Sequence, residues 1–404
     1  TAYNKWYAYG LLARIALHEG TFRKYHDELE LQSSADQFLE KAVNACEKIM
    51  ANTTDFGIYT DGGIDAYGNM FISNNLSKCK EILLFKDFSY DLNIKHDVAM
   101  NVFSYNTDLS RSLMESYLIK KDGKAVPFSS IDNYKTKTFM ETFEDRDPRY
   151  RQTFMYPGYI RPGDAKPFIP NLNLGGYTQI KFVPQDPQQN QWGCSYNDLP
   201  LMRLGEILLI YAEAKAELGT LTQADLDKSI NQLRDRVGMP HMVLSELTID
   251  PTLEQQYPNV NGNLKNAILE IRRERRVELA CEGFRKDDIL RWKVGKLLEM
   301  PQGVYIAELN TVFDVTGDGV TDVGVFLNKE SVKPIYKKKV LYYLEEQGEK
   351  TSISLSEGDH GYIILTNDIT NPKKFIEPQY YYYPIPKTQF TYNPNLRQTI
   401  FWDK

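Results

Sequence analysis

The stretch LPLMRLGEILLIYAEAKAELG, residues 199–219, carries the strongest helical signal in the chain. Apolar side chains recur every three or four residues, which is the spacing of one helix face. Small residues form a second face, which favours close contact with another helix. The apolar set is Leu201, Leu204, Leu208, Tyr211 and Leu218, and the small set is Gly205, Ala212 and Ala216.

The residues that follow predict a second helix packed against the first. Gly219 suits a helix C-terminus, and Thr222 with Asp225 three residues later has the spacing of a capping box. An apolar stripe comes next, at Leu226, Ile230, Leu233 and Val237. Residues 199–239 are therefore predicted to form two antiparallel helices joined by a tight turn, close to the ~34-residue length of a helix-turn-helix repeat.

Two further stretches predict helix pairs of the same kind. One covers residues 3–52, with helices at 3–19 and 33–52, and the other covers 264–299, with helices at 264–283 and 286–299. Between and after the pairs lie loop-rich insertions, 53–198 and 300–379, with short, edge-like strands predicted at EILLF, VGVFLN, KVLYYL and GYIILT. The predicted fold class is mainly α: tetratricopeptide-like helix pairs form a scaffold, in a single body over residues 1–404.

Composition excludes several classes of protein. The 48 basic and 54 acidic side chains of the 404 residues give a net charge of −6 and are well mixed, so no basic stripe exists to bind nucleic acid. No apolar run is long enough to span a bilayer. The four cysteines are far apart, form no C-x-x-C pair and leave the disulfide state open: Cys46, Cys79, Cys194 and Cys281.

Motifs of catalysis are missing from the sequence. The five histidines lack the i, i+4 spacing of a zinc site, and neither a G-x-S-x-G elbow nor a phosphate-binding P-loop occurs. Paired carboxylates for glycoside hydrolysis stay open, because their separation depends on the fold. A helical glycan-degrading enzyme is therefore retained as an alternative.

One segment resembles a calcium loop. DVTGDGVTD, residues 314–322, places oxygen ligands at loop positions 1, 3, 5, 7 and 9, supplied by Asp314, Thr316, Asp318, the Val320 carbonyl and Asp322. The twelfth position is Val325, so an EF-hand is excluded. An Asp-Gly turn between two strands explains the same residues. No cofactor is required, and calcium is a possible one.

The highest local charge density lies in EIRRERRVELACEGFRKDDILRW, residues 270–292. Four arginines (Arg272, Arg273, Arg275 and Arg276) alternate with four glutamates (Glu270, Glu274, Glu278 and Glu282). Because these charges lie three or four residues apart, we expect them to neutralise one another within the helix, which disfavours an anion-binding site.

These blocks together resemble the SusD-like (RagB/SusD) family. The matching segments are LPLMRLGEILLIYAEAKAELG, INQLRDRVGMP, IRRERRVELACEGFRKDDILRW and YYYPIPKTQFTYNPNLRQ, with DRDPRYRQTFMYPG and ARIALHEGTFRKYH as further matches. The blocks follow the family's order over essentially the whole chain.

The resemblance implies a non-catalytic lipoprotein on the cell-surface side of the outer membrane. It implies binding of oligosaccharides, or of peptides in some members, beside a SusC-type TonB-dependent transporter. It also implies that the family's N-terminal portion, with its export signal and lipidated cysteine, is missing, so the anchor is assigned to no residue here. A helical-repeat scaffold that recognises only protein is a further alternative.

Ligand contacts are expected from exposed aromatic residues in loops outside the signature blocks. Sugars stack their C–H faces on aromatic rings and need polar partners for their hydroxyls. The predicted contacts are Trp192, Tyr177, Tyr67 and Tyr105, with Asn69 and Asn190 as polar partners. Two or three rings at roughly 0.5–1.5 kcal/mol each, with a few hydrogen bonds, give a millimolar to tens-of-micromolar affinity.

The C-terminal segment YYYYPIPKTQFTYNPNLRQ, residues 380–398, is unusual in its aromatic and proline content. Pro384 and Pro386 disfavour helix and interior strand and fix an extended path. Residues 380–404 are therefore predicted to form an extended C-terminal clasp, in which the tyrosines pack across the helical frame.

Overall fold

The computed structural model describes residues 4–104 and 108–403. It has a mainly helical body with short strands, which confirms the predicted fold class. The helices are α1 (Lys5–Tyr25), α2 (Ala35–Met50), α3 (Ala66–Phe71), α4 (Val98–Ser104), α5 (Arg111–Met114), α6 (Arg149–Thr153), α7 (Leu204–Glu217), α8 (Gln223–Asp227), α9 (Ile230–Arg236), α10 (Pro251–Gln256), α11 (Lys265–Glu278), α12 (Arg285–Arg291), α13 (Thr366–Thr370) and α14 (Lys387–Tyr392). The strands are β1 (Ile82–Lys86), β2 (Ile119–Lys121), β3 (Lys124–Val126), β4 (Leu199–Arg203), β5 (Tyr305–Ile306), β6 (Thr311–Phe313), β7 (Val323–Phe326), β8 (Val340–Tyr343), β9 (Glu345–Glu346), β10 (Glu349–Lys350), β11 (Ile353–Leu355) and β12 (Gly361–Leu365).

The long helices stack into a frame with one apolar core. α1 packs on α2, α2 on α7, and α7 on α11, while α12 returns against α1. Fully buried side chains such as Leu39, Ile49 and Ile207 fill the space between them. Removal of this apolar surface from water is the main stabilising contribution to the frame.

The first helix is longer than the sequence predicted. The predicted helix ends at residue 19, yet α1 continues into the next segment, GTFRKYH, and ends at Tyr25. The reason is a close approach: a Cβ at Gly20 would lie 2.8 Å from Leu39 Cδ2 on α2. Gly20 is therefore required for helix packing and does not end the helix.

The second predicted pair forms with two differences. The capping box of Thr222 and Asp225 is confirmed at the start of α8. Residues 199–203, however, are strand β4, which pairs antiparallel with β1, and helix α7 begins only at Leu204. The second helix is divided into α8 and α9.

The third predicted pair is shorter than expected. α11 ends at Glu278, whereas the predicted helix runs to residue 283. α12 ends at Arg291, whereas the predicted helix runs to residue 299. The backbone between them turns at Cys281, which has a φ of 65°. A short 3₁₀ helix, Gly295–Leu298, replaces the predicted end of the second helix.

The strands of the second insertion were predicted to be edge strands, but two of them lie in the middle of a sheet. β7 lies between β6 and β8, and β12 lies between β11 and β5. β7 is buried along its whole length, which explains why its sequence, VGVF, lacks alternating polar residues.

The two insertions share one apolar core. Side chains of the first insertion, including Tyr150 and Phe154, pack with Val323 and Ile363 of the second. Val277 of α11 belongs to the same cluster. The insertions are therefore packed on each other and on the frame.

The predicted clasp packs through its aromatic side chains, but its path is not wholly extended. Tyr381 is 3% exposed, and its hydroxyl accepts a hydrogen bond from Gly295 N at 2.8 Å. The Tyr382 hydroxyl donates to Glu28 Oε1 at 2.9 Å. The chain then forms α14 at residues 387–392, because Pro386 is the N-cap residue, where proline does not interrupt the helix.

Candidate ligand-binding cleft

A cleft of about 660 Å³ opens in the first insertion. It lies between α3, α6 and residues 180–185. Its volume falls within the ~300–1,000 Å³ typical of small-molecule sites. The cleft is thus large enough for a ligand of a few sugar residues or a short peptide.

The cleft wall combines aromatic rings, side-chain amides and charges. The aromatic residues are Tyr156, Tyr159 and Phe182; the amides are Asn69, Gln152 and Gln185; the charged rim contains Asp65, Lys120, Asp145 and Arg151. Tyr156 is partly exposed, whereas Tyr159 is 3% exposed. Phe182 is also partly exposed, so Tyr156 and Phe182 are the two rings with surface available for stacking.

Gln152 joins the two helices that form one wall. Its Oε1 accepts a hydrogen bond from Gly68 N at 2.6 Å, and its Nε2 donates to the Ile64 carbonyl at 2.9 Å. The Arg151 guanidinium lies 4.3 Å from the centroid of the Tyr156 ring, a cation–π distance. These contacts fix the wall before any ligand arrives, which lowers the entropy cost of binding.

Lys181 connects the floor of the cleft to the helical frame. It is 2% exposed, and its Nζ donates to the Tyr67 hydroxyl at 2.7 Å, the Ala280 carbonyl at 2.8 Å and Glu282 Oε1 at 2.8 Å. Burial lowers the pKa of Lys181, and the Glu282 carboxylate opposes that effect.

A buried carboxylate, Glu278 at the end of α11, holds three arginines from different parts of the chain. It pairs with Arg149 of α6 at 2.8 Å, with Arg203 of β4 at 2.7 Å and with Arg236 of α9 at 2.5 Å. Burial alone would raise the pKa of Glu278, yet the three guanidiniums hold it well below its usual value. Through Arg149, this cluster fixes α6 and hence the cleft wall.

The predicted neutralisation within residues 270–292 is correct in part. Arg273 and Glu270 pair within α11 at 3.0 Å, whereas Glu274, Glu278 and Glu282 pair with arginines outside the segment. Arg272 pairs with Glu217 of α7 at 3.3 Å, and Arg275 pairs with Asp288 of α12 at 2.9 Å. α11 is buried on most of its surface, so its charges link elements of the fold and do not form a solvated face.

Comparison with models of known protein families assigns the chain to a family. The family model for the SusD family matches residues 47–402, which is most of the chain. The chain belongs to the SusD family. None of the curated proteins matches the chain.

Solved structures of SusD-like proteins share the fold of this SusD family member. A SusD-like protein from Bacteroides fragilis has a TM-score of 0.58 at 15% identity and is aligned over 99% of this chain and 65% of its own. A SusD-like carbohydrate-binding protein from the same species has a TM-score of 0.58 at 20% identity, over 91% and 64%. The chain thus spans about 65% of the length of these proteins, and the likeness shows the fold alone. Among the described residues, no helix combines the length and apolar character needed to cross a membrane.

Two ligand contacts of this SusD family member were predicted to be exposed aromatic rings, and this prediction is wrong because both rings are buried. Tyr67 is 0% exposed and Tyr177 is 1% exposed. Tyr67 packs against Phe71 in the interior, and Tyr177 packs against Phe154 in the core of the insertions. A ligand in solvent cannot stack on either ring, so both are structural.

The other predicted contacts are separated in the structure. Asn69, a predicted polar partner of the ligand, lines the cleft. Asn190 is 5% exposed and its amide donates to the Pro184 carbonyl at 2.8 Å, which holds its own loop. Trp192 is 51% exposed but is not part of the cleft wall. Tyr105 lies outside the described residues.

Sequence reasoning missed the main cleft residues because they lie in a signature block. Arg151, Gln152 and Tyr156 all belong to DRDPRYRQTFMYPG, which was set aside as a structural match to the family. The available signal was the pair of polar side chains four or five residues before an aromatic residue, at the end of a short helix.

The predicted calcium loop brings its carboxylates together. One oxygen each of Asp314, Asp318 and Asp322 lies within 4.8 Å of the others. Asp314 accepts backbone N–H bonds from Gly317 at 2.7 Å and Gly319 at 2.9 Å, and the Thr316 hydroxyl donates to Asp322 at 2.9 Å. Burial opposes ionisation of Asp314, but these N–H groups lower its pKa. The loop between β6 and β7 thus has the turn geometry of the alternative interpretation, and calcium binding stays a prediction.

Proposed function

We propose that this SusD family member captures oligosaccharides at the cell surface without catalysis and passes them to a SusC-type TonB-dependent outer-membrane transporter. The supporting observation is the preformed cleft of about 660 Å³, with the Tyr156 ring and several amides on a fixed wall. The Bacteroides fragilis protein of the same fold is described as carbohydrate-binding, which agrees with this proposal. A lipid anchor on the full-length precursor would hold the protein at the outer membrane.

The chemistry of the cleft fits a neutral sugar chain. The partly exposed Tyr156 offers an apolar face for sugar C–H groups, and Asn69 and Gln185 offer donors and acceptors for hydroxyls. The rim carries both signs of charge, so it does not select strongly for an anion or a cation. Binding through one or two rings is weak, and weak binding permits release to a transporter.

Two alternatives to this proposal are each tested by an experiment of their own. Asp65 and Asp145 both line the cleft, so a glycan-degrading enzyme with two carboxylates is the alternative that the structure bears on. Purified protein is incubated with a panel of polysaccharides, and new reducing ends would overturn the binding proposal. A peptide-binding member would instead bind peptides and no glycan on an array.

Replacing Tyr156 with alanine is expected to weaken glycan binding about 2- to 12-fold, because a stacked ring contributes roughly 0.5–1.5 kcal/mol. The Tm is expected to change little, since the Tyr156 side chain is only partly buried. Calorimetric titration with the glycan identified on an array measures the affinity. An unchanged affinity in Tyr156→Ala would contradict the assignment of the glycan site to this cleft.

We propose Trp192 as a second, separate glycan contact. Trp192→Ala is the matched comparison, and an unchanged affinity in this variant would contradict a role for Trp192 in binding.

We propose calcium as a ligand of the 314–322 loop, since the described residues place no basic side chain within 4.0 Å of its three clustered carboxylates. Millimolar calcium chloride is expected to raise the Tm, because a ligand that binds only the folded state stabilises it. Asp318→Ala is expected to abolish the rise. An equal Tm in calcium and in chelator would contradict the proposal.

A further inference from the structure

A second cleft, of about 470 Å³, lies on a different part of the molecule. It is bounded by α5, by the facing sides of α11 and α12, and by residues 296–302. It shares no lining residue with the cleft at Tyr156. Its occupancy is therefore a separate question from the proposed glycan site.

Three cationic side chains line this second cleft: Arg276, Arg285 and Lys296. Lys296 pairs with Glu377 at 3.2 Å. For Arg276 and Arg285, no carboxylate oxygen lies within 4.0 Å among residues 4–104 and 108–403. Arginines that are removed from solvent are usually paired with an acid, as the other three arginines of α11 are.

The present partners of the two guanidiniums are neutral hydroxyls. Arg276 donates to Ser112 Oγ at 2.8 Å and Ser116 Oγ at 3.2 Å. Arg285 donates to the Tyr257 hydroxyl at 3.0 Å. Each guanidinium has five N–H donors, so both retain donors for another acceptor.

The acids of this cleft are already engaged. Glu115 pairs with the buried Arg111 at 2.9 Å, and Glu299 accepts a hydrogen bond from Phe375 N at 2.6 Å. Burial, and then the neighbouring Arg285 guanidinium, lowers the pKa of Arg276 to about 9. The cleft therefore brings two guanidiniums together with no carboxylate of the described residues in contact with either, and an anion would supply that contact.

We propose that this cleft binds the oxyanion group of a small solute, a carboxylate, sulfate or phosphate, between Arg276 and Arg285. Planar guanidinium forks match the geometry of such oxyanions, and bonds between two charged groups are about twice as strong as neutral ones. The Ser110 side chain and the Gln256 amide also line the cleft and offer neutral partners for the rest of the solute.

The test compares anionic and neutral forms of one sugar on the whole chain. Thermal unfolding is followed with glucuronate, glucose 6-sulfate, glucose 6-phosphate and glucose, at one ionic strength set with chloride. At least one anion is expected to raise the Tm, and glucose is not, because binding to the folded state alone raises stability. The anion with the largest shift identifies the group, and no shift with any of the three would overturn the proposal.

A pair of variants then locates the site. Arg285→Gln is expected to weaken anion binding about tenfold or more in a calorimetric titration. Lys286→Gln is the control: it removes the same charge from the next position of α12, where the side chain lies over the Tyr383 ring, and is expected to bind like the wild type. Equal weakening in both variants would show a general charge effect and overturn the assignment. Arg285→Lys, which keeps the charge but loses the fork, is expected to fall between the two.

Discussion

Glu278→Ala is expected to destabilise the protein by at least about 3–5 kcal/mol, because removal of one partner from a buried ion pair leaves the other charge unpaired. Glu278 is 0% exposed and pairs with Arg149, Arg203 and Arg236. A domain is typically stable by about 5–15 kcal/mol, so this change removes a large part of the total. Urea unfolding monitored by circular dichroism gives the difference in the free energy of unfolding.

The control for this substitution is Glu47→Ala on α2. Glu47 is exposed and, like Glu278, lies in the last turn of its helix, so its removal is expected to change stability by less than about 0.5 kcal/mol. Glu278→Gln keeps the side-chain volume and isolates the effect of the charge. A loss below about 1 kcal/mol in Glu278→Ala would show that the three arginines do not depend on this carboxylate.

The same substitution is expected to reach the cleft. Arg149 opens α6, which carries Gln152, and α6 ends just before Tyr156. If Glu278 no longer holds Arg149, the wall that Gln152 joins to α3 loses its support from the frame. Any glycan affinity measured for the Glu278→Gln variant should therefore fall together with its stability.

Local patterns predicted the parts of the fold that depend on neighbours in sequence. The capping box at Thr222 and the strand that became β1 are of this kind. The first predicted helix ends at residue 19, but α1 continues through Gly20, which packs against Leu39 on another helix. Helix spacing shows which residues are apolar but not which residue of a second element comes close.

The charge network could not be predicted from spacing within α11. The partners of Glu278 lie 129, 75 and 42 residues away in the chain, whereas the sequence argument considered only charges three or four residues apart. Burial of α11 decides the matter, since a buried charge must find a partner wherever the fold supplies one. Arg276, the one arginine of this helix that faces the second cleft, illustrates what the local rule hides.

The predicted ligand contacts failed for a related reason. Tyr67 and Tyr177 are in loop-rich sequence, but the insertions have a core of their own, and large aromatic residues fill it. Residue type and position in a loop do not distinguish a ring in such a core from a ring in a cleft. Asn69, the contact that does line the cleft, was chosen by the same argument.

Acid is expected to unfold this protein steeply, with a loss of at least about 5 kcal/mol of unfolding free energy between neutral pH and pH 3. Four largely buried carboxylates have pKa values lowered by their cationic partners against the opposing effect of burial: Glu217, Glu278, Glu282 and Asp288. In the unfolded chain these groups take up protons near pH 4, whereas the folded protein resists protonation. The stability that these four carboxylates contribute is therefore fully present above about pH 5 and is lost as the pH falls below about 4.5.

Groups that titrate nearer neutrality act in opposite directions. Burial lowers the pKa of His18, His26 and His96, so protonation of the unfolded chain near pH 6.5 begins to reduce stability there. Burial raises the pKa of Asp108 to about 6, so acidification from pH 6 to 4 protonates the folded state first and adds stability. Because these effects oppose each other, we expect a shallow change between pH 6.5 and 5 and a steep loss only below it.

Urea unfolding at constant ionic strength across pH 3 to 7.5 measures this profile. Glu278→Gln tests its cause, since a variant without that carboxylate has one fewer group to protonate on unfolding. Its free energy of unfolding should be lower than that of the wild type at pH 7 and should fall less between pH 5 and 3, so the two curves converge in acid. Parallel curves, or a wild-type stability that does not fall below pH 4.5, would show that the buried ion pairs do not control the acid response.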